Sequence, residues 1–187
     1  MTDRASLIAV ACRDDDVKAL QKLNPSYEEL IKREGLSAWT PLSYAAHNNR
    51  LVTLRMLIGF HPRLITEHKL SGVRYQAIVN GHLDLLQWLE TIQPESIQPD
   101  NDALDGIYHA CKSNQLEVLK WFAAKYKGPI AHGKYSALEA AYRSNSNKIV
   151  KWWLETYSPP KLDIEEIVGN YGHVRTKDIL VAYMKLN

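Results

Sequence analysis

Little cysteine, no long apolar run and almost no net charge mark this sequence. Two cysteines, Cys12 and Cys111, occur in 187 residues; they are too few for a disulfide framework, and their spacing matches no zinc motif. The chain opens Met1-Thr2-Asp3-Arg4 and then runs apolar only from Leu7 to Cys12. That stretch is too short for a signal-peptide core and far short of a membrane span. Lys plus Arg total 23 against 21 for Asp plus Glu, a formal charge of +2, which does not predict a nucleic-acid or membrane-surface partner. Aromatic residues make up only 9% of the chain, hydrophobic residues 45% and charged residues 24%. Those fractions are ordinary for a globular protein and argue against a disordered or fibrous chain. The expectation is a monomeric, cytoplasmic protein of one domain, residues 1–187, long enough for a sizeable core.

Catalytic signatures are missing too. There is no Gly-x-x-x-x-Gly-Lys-Ser/Thr, no Gly-x-Gly-x-x-Gly, no His-Glu-x-x-His and no Gly-x-Ser-x-Gly. The histidines (His47, His61, His68, His82, His109, His132 and His173) are dispersed. His109 and Cys111 are near neighbours, but helical side chains turn by about 100° per residue, and a nucleophile needs its base within hydrogen-bond reach. Asp14-Asp15-Asp16 sits at a join between helices, where aspartates cap the next helix and favour its positive end. Asp100, Asp102 and Asp105 read as solvation and capping in a loop-rich stretch. No cofactor and no metal site is expected.

What the sequence does contain is a period. A small or apolar pair is followed by a polar break, an apolar anchor five residues on, and further apolar positions at helical spacing. It is clearest in Thr40-Pro41-Leu42-Ser43-Tyr44-Ala45-Ala46-His47-Asn48-Asn49-Arg50-Leu51, followed by Leu54 and Leu57. The other anchors fall at Val17, Leu83, Leu116, Asn147 and Val174, with gaps of 34, 32, 33, 31 and 27 residues. Such constancy is the mark of a repeat architecture. The small pair is Ala11-Cys12, Ala45-Ala46 and Ala110-Cys111, becoming Ala77-Ile78 and Ala141-Tyr142 elsewhere; small side chains there would let a first helix lie close to its neighbour. The anchor and the residues three and six further on predict the buried stripe of a second helix: Val17, Leu20, Leu23; Leu51, Leu54, Leu57; Leu83, Leu86, Leu89; and Leu116, Leu119, Phe122. Turn formers lie between the helices: Asp14-Asp15, Asn48-Asn49, Asn80-Gly81, Ser113-Asn114 and Tyr171-Gly172. Pro25, Pro62, Pro94, Pro129 and Pro159 each follow a second helix and help to stop it. Thr40-Pro41 instead supplies a capping hydroxyl and a proline at a first helical position. The pattern predicts an all-α array of about six helix-turn-helix units, approximately 5–35, 36–70, 71–103, 104–134, 135–162 and 163–187.

Thr40-Pro41-Leu42-Ser43-Tyr44-Ala45-Ala46 resembles the core phrase of the ankyrin repeat, Thr-Pro-Leu-His-x-Ala, with Ser43 in place of His. Asn80-Gly81-His82-Leu83-Asp84-Leu85-Leu86-Gln87-Trp88-Leu89 is similar to the family's second-helix phrase, and Tyr171-Gly172-His173-Val174 repeats its opening. The resemblance covers roughly residues 5–183. Only the second copy keeps Thr-Pro, and the Asp-x-x-Gly hairpin signature is absent or degenerate, so hairpin fingers that are short, or replaced by loops or an extra helical turn, are expected. A period near 34 also suits tetratricopeptide repeats, but their Trp-x-x-Leu-Gly-x-x-Tyr pattern is missing. The Trp-rich second helices are similar to divergent ankyrin repeats of intracellular bacteria, amoebae and large DNA viruses. That likeness implies an effector, secreted into a host cell and acting on a host protein.

The resemblance also implies a protein-binding concave surface of first helices and finger loops. By register it comprises Trp39, Ser43, Tyr44, His47, Tyr75, Gln76, Tyr108, His109, Lys112, Glu139 and Arg143. Tyr75 and Tyr108 share the repeat position of Ser43, and two readings are open: interface hot spots or bridges between repeats. Trp88, Trp121 and Trp152 form a row on second helices that either packs on neighbouring layers or offers an aromatic ladder. By the same family analogy, His82 and His173 tie successive loops together. Charge is segregated along the chain. Residues 75–111 hold six acids and no base, whereas residues 112–161 hold nine bases against three acids; a dipolar array of this kind can orient a protein partner, and the alternative is that these are solvated helix faces. The competing function class is an enzyme, or an effector with a cryptic catalytic site on the helical scaffold.

Overall fold

In a computed structural model, residues 3–32, 39–66, 69–93, 102–126, 134–159, 161–170 and 176–186 are described. Among them all regular structure is helical, without a strand, and no helix is long and apolar enough to cross a membrane. The chain divides into two compact units, Met1–Ser96 and Ile97–Asn187. The first holds α1 (Arg4–Asp14), α2 (Val17–Leu23), α3 (Tyr27–Ile31), α4 (Pro41–His47), α5 (Leu51–Phe60), α6 (Arg63–Thr66), α7 (Ser71–Asn80) and α8 (Leu83–Ile92). The second holds α9 (Asp102–Lys112), α10 (Leu116–Lys125), α11 (Lys134–Arg143), α12 (Asn147–Tyr157), α13 (Lys161–Asn170) and α14 (Lys177–Leu186).

Helices pack as pairs: α1 on α2, α4 on α5 and α7 on α8 in the first unit, and α9 on α10, α11 on α12 and α13 on α14 in the second. Successive first helices then lie side by side, α1 against α4 and α4 against α7, and in the second unit α9 against α11. Small side chains permit this approach at Ala11-Cys12, Ala45-Ala46 and Ala110-Cys111, whereas Ile78 and Tyr142 fill the second position of the other two pairs. All ten residues from Ala11-Cys12 to Ala141-Tyr142 are buried, as expected where two backbones must come close.

The corner between paired helices repeats in detail. Asp15, Asn49, Gly81, Asn114 and Asn145 take φ values of 61°, 54°, 77°, 57° and 56°, the left-handed conformation that Asn, Asp and Gly tolerate best. The residue after each returns its amide to the first member of the small pair: Asp16 to Ala11, Arg50 to Ala45, His82 to Ala77, Gln115 to Ala110 and Ser146 to Ala141, at 2.8–3.0 Å. This bond is the outer bond of a Schellman helix end. The same residue has ψ between 65° and 78°, so the chain makes an inverse γ-turn straight into the second helix.

Second helices depart from the expected stripe in one respect. The residues three and six past the anchor are buried from Leu54 and Leu57 through Leu119 and Phe122, but the anchors Val17, Leu51, Leu83 and Leu116 are only half-buried. The third core position is two past the anchor: Thr53, Leu85, Val118 and Ile149 are each 0% exposed. An anchor at the first helical residue sits on the corner, so its side chain reaches the rim while the next turn faces the core. Leu23 is also half-buried.

Among the described residues of the first unit, the connections contain the short helices α3 and α6. α3 begins with a capping box in which the Ser26 side chain and Glu29 satisfy each other's backbone amides, and Arg4 reaches Glu29 at 2.7 Å. That contact and the Ser26 amide hold the Glu29 carboxyl down at about 2. Pro25 is buried beside this turn. α4 starts as anticipated, with Thr40 accepting from the Ser43 amide at 3.2 Å and Pro41 at the first helical position. Pro94, Pro129, Val174 and His173 lie outside the described residues. The second helix of the last pair begins at Lys177, three residues beyond the expected anchor. Thr176 hydrogen-bonds the Tyr142 carbonyl at 3.2 Å, much as Ser146 does the Cys111 carbonyl at 2.9 Å.

Candidate partner-binding surface

In the first unit the expected surface residues separate by burial. Trp39 precedes the Thr40 cap, and its ring lies 5.1 Å from the Tyr44 ring and 4.7 Å from the His47 ring. The three form one half-buried aromatic cluster on α4. Tyr75, on α7, is 45% exposed. Ser43 and Gln76 are corrections to the expected surface, because both are buried. Ser43 Oγ is 3.1 Å from Thr40 Oγ1, and a Cβ at Gly72 would stand 3.1 Å from it; the serine thus occupies the close packing of α4 on α7.

Gln76 belongs to a polar cluster linking α4 with α7. Its Oε1 lies 3.3 Å from His47 Nδ1 and 3.2 Å from Asn80 Nδ2, and Asn80 Nδ2 is also 3.1 Å from His47 Nδ1. The next corner closes the cluster, with His82 Nε2 donating to the His47 carbonyl at 2.8 Å. The loop-tying role expected for His82 is present in this bond. His47 therefore has its ring among polar side chains on one side and Trp39 on the other.

The second unit presents Tyr108, His109, Lys112, Glu139 and Arg143. Tyr108 is 36% exposed, its ring edge-on to His109 at 5.4 Å. His109 Nε2 faces Asp105 Oδ1 at 3.4 Å across one helical turn. Lys112 is exposed, and Arg143 pairs with Glu139 at 3.5 Å, also one turn apart on α11.

A set of pair-bridging polar contacts escaped the sequence reading. Asp15 Oδ1 accepts from the Thr53 amide at 3.3 Å and hydroxyl at 2.6 Å. Arg50 Nε donates to the Arg13 carbonyl at 2.8 Å, and Asn49 Nδ2 reaches both Asp84 oxygens at 3.2 Å. Each joins a corner to the neighbouring helix pair, across 35 to 38 residues.

Two residues of the acidic run make local contacts. Asp16 caps α2 through the Ala19 amide at 2.9 Å, and Asp14 pairs with Arg13 at 2.7 Å. Cys111 is 0% exposed, and burial pushes its thiol pKa up, the reverse of what activates a nucleophile. Among the described residues no group of three His, Cys, Asp or Glu side chains is placed to hold a metal ion. Asp100, His68 and His132 lie outside the described residues. Trp88, Trp121 and Trp152 are half-buried, under or beside neighbours: Arg55 lies 5.6 Å over the Trp88 ring, and Trp152 meets Trp153 edge-on at 6.2 Å. Comparison with protein-family models, with curated proteins and with solved structures returns no match.

Proposed function

We propose that this chain is a non-enzymatic, ankyrin-like helical-repeat scaffold that holds a protein partner against its first helices and the corners beside them. The observation that carries the reading is the recurrence of one corner, from Asp15 to Asn145, with the same left-handed residue and the same returning hydrogen bond. Within each unit, a corner that recurs from one helix pair to the next offers equivalent positions to a protein partner. Tyr75 and Tyr108 occupy one such position and remain solvent-open. Tyrosine there offers a large apolar area with a hydrogen-bonding tip. The excess of acid over residues 75–111 and of base over 112–161 supplies the charge pattern that orients a partner. In the host-effector version of this proposal the partner is a eukaryotic cytoplasmic protein.

The test is comparative capture from a eukaryotic lysate by the wild type and by the double variant Tyr75→Ala, Tyr108→Ala, with helical circular dichroism measured on both. The expected result is a partner retained by the wild type and lost from a folded variant, since hot-spot tyrosines cost about 2 kcal/mol or more each on truncation. Undiminished capture by the variant would move the interface off these helices.

A further inference from the structure

The first helix pair leaves open a face that the next two pairs close. Aligned on the starts of the second helices, Leu7 corresponds to Pro41 and Val73, and Leu23 to Leu57 and Leu89. Those four counterparts are buried, whereas Leu7 is 44% exposed and Leu23 is half-buried. The closing contact comes from the preceding pair: α4 lies on α1, α7 lies on α4, and Leu57 shares a hollow with Leu20. On α1 and α2 the equivalent face is a groove of about 470 Å³. Val10, which also lines it, is 42% exposed. The middle of the groove is apolar, with Leu7, Val10, Ala11 and Ala19 along it.

The groove has a charge at each end, of opposite sign. Arg4 Nη2 donates to the Leu23 carbonyl at 2.7 Å, so the start of α1 lies beside the end of α2. Arg4 and Lys22 therefore make one end basic, and Asp14 and Asp16, at the corner, make the other acidic. Arg4 and Asp14 hold Glu29 and Arg13, yet their side chains stay 52% and 50% exposed. A two-fold axis across the middle of the groove would lay the basic end of one copy on the acidic end of another. The same operation brings Leu7 and Val10 of both copies together. A self-complementary patch of this kind is what a closed, isologous dimer requires.

We propose that two copies of this chain associate through the α1–α2 groove about a two-fold axis. The test is sedimentation of the intact protein over a wide concentration range, with circular dichroism to check that each variant is folded. The wild type should show a monomer–dimer equilibrium, and Val10→Glu should move its midpoint to concentrations at least about 100-fold higher. Lys22→Glu and Asp14→Lys should each be monomeric alone, because each places like charges together twice. An equimolar mixture of the two should recover the dimer, since both contacts then pair opposite charges. The proposal is overturned if the wild type is monomeric throughout, if Val10→Glu leaves the dimer unchanged, or if mixing the charge variants restores nothing.

Discussion

At Asp15 the backbone is left-handed, with φ 61°, while the carboxylate accepts from both the amide and the hydroxyl of Thr53. One residue thus turns the first corner and fastens the next helix pair to it. Thr53 is 0% exposed, so its two donors have no water to replace a lost acceptor, and an unsatisfied buried group costs about 1–3 kcal/mol. Asp15→Ala removes the acceptor and adds about 1–2 kcal/mol for an alanine in the left-handed region. The expected total, about 2–5 kcal/mol, is read from the midpoint of chemical denaturation. Asp15→Gly should lose the acceptor part alone, because glycine adopts this conformation freely. Asp15→Asn keeps an oxygen toward Thr53 and should lie nearest the wild type. A wild-type midpoint in Asp15→Gly would show that the Thr53 contact contributes nothing. The sequence alone shows Asp15 as a turn former, but Thr53 is 38 residues away, and a hydroxyl on a second helix carries no mark of what it bonds.

Elements differ in how far their sequence determines them. The corners are legible because their cause is local: Asn, Asp or Gly must supply a positive φ, and a short residue must precede it where helices touch. The all-helical class and the buried small pairs follow from the same local pattern. The short α3 and α6 are harder to read, since each is a single turn fixed by a cap or by packing, and the hydrophobic period says nothing about it. The period places the anchor in the core, but the first helical residue sits on the corner itself, so the anchors are half-buried. Of the expected surface, Ser43 and Gln76 are buried, because burial there depends on how α7 lies on α4.

α9 shows how tight that fit becomes within a pair. A Cβ on Gly106 would stand 2.5 Å from Phe122 Cζ, and Phe122 is fully buried. Gly106→Ala gains about 1 kcal/mol in helix propensity but meets a ring with little room to move, at a typical cost of about 1–3 kcal/mol. The net expectation is destabilisation. Adding Phe122→Leu should reverse the sign, making alanine at residue 106 more stable than glycine on that background. Thermal melts of the four-member cycle measure this directly, and an alanine that stabilises the wild-type background would contradict the close approach.

At the largest scale, that of the first unit, α1 packs on α4 and α4 on α7, so its stability is expected to come from successive interfaces between helix pairs. The row of residues six past the anchor samples those interfaces in the first unit. Leu57 and Leu89 are each 1% exposed, whereas Leu23 is half-buried on the pair whose outer face is open. A fully enclosed leucine truncated to alanine costs about 2–5 kcal/mol, the spread reflecting how far neighbours collapse into the space. A partly solvated one loses less burial and leaves a hollow that water can enter. Leu89→Ala should therefore lower the melting midpoint by several degrees, Leu57→Ala by a similar amount, and Leu23→Ala by about half as much or less. That ordering follows from position in the array, since the three residues are chemically identical and occupy the same place in their repeats. If Leu23→Ala proved as damaging as Leu89→Ala in dilute monomeric protein, burial along the row would be uniform and the open face of the first pair would not exist. An unchanged midpoint in Leu89→Ala would reject the stacking register itself.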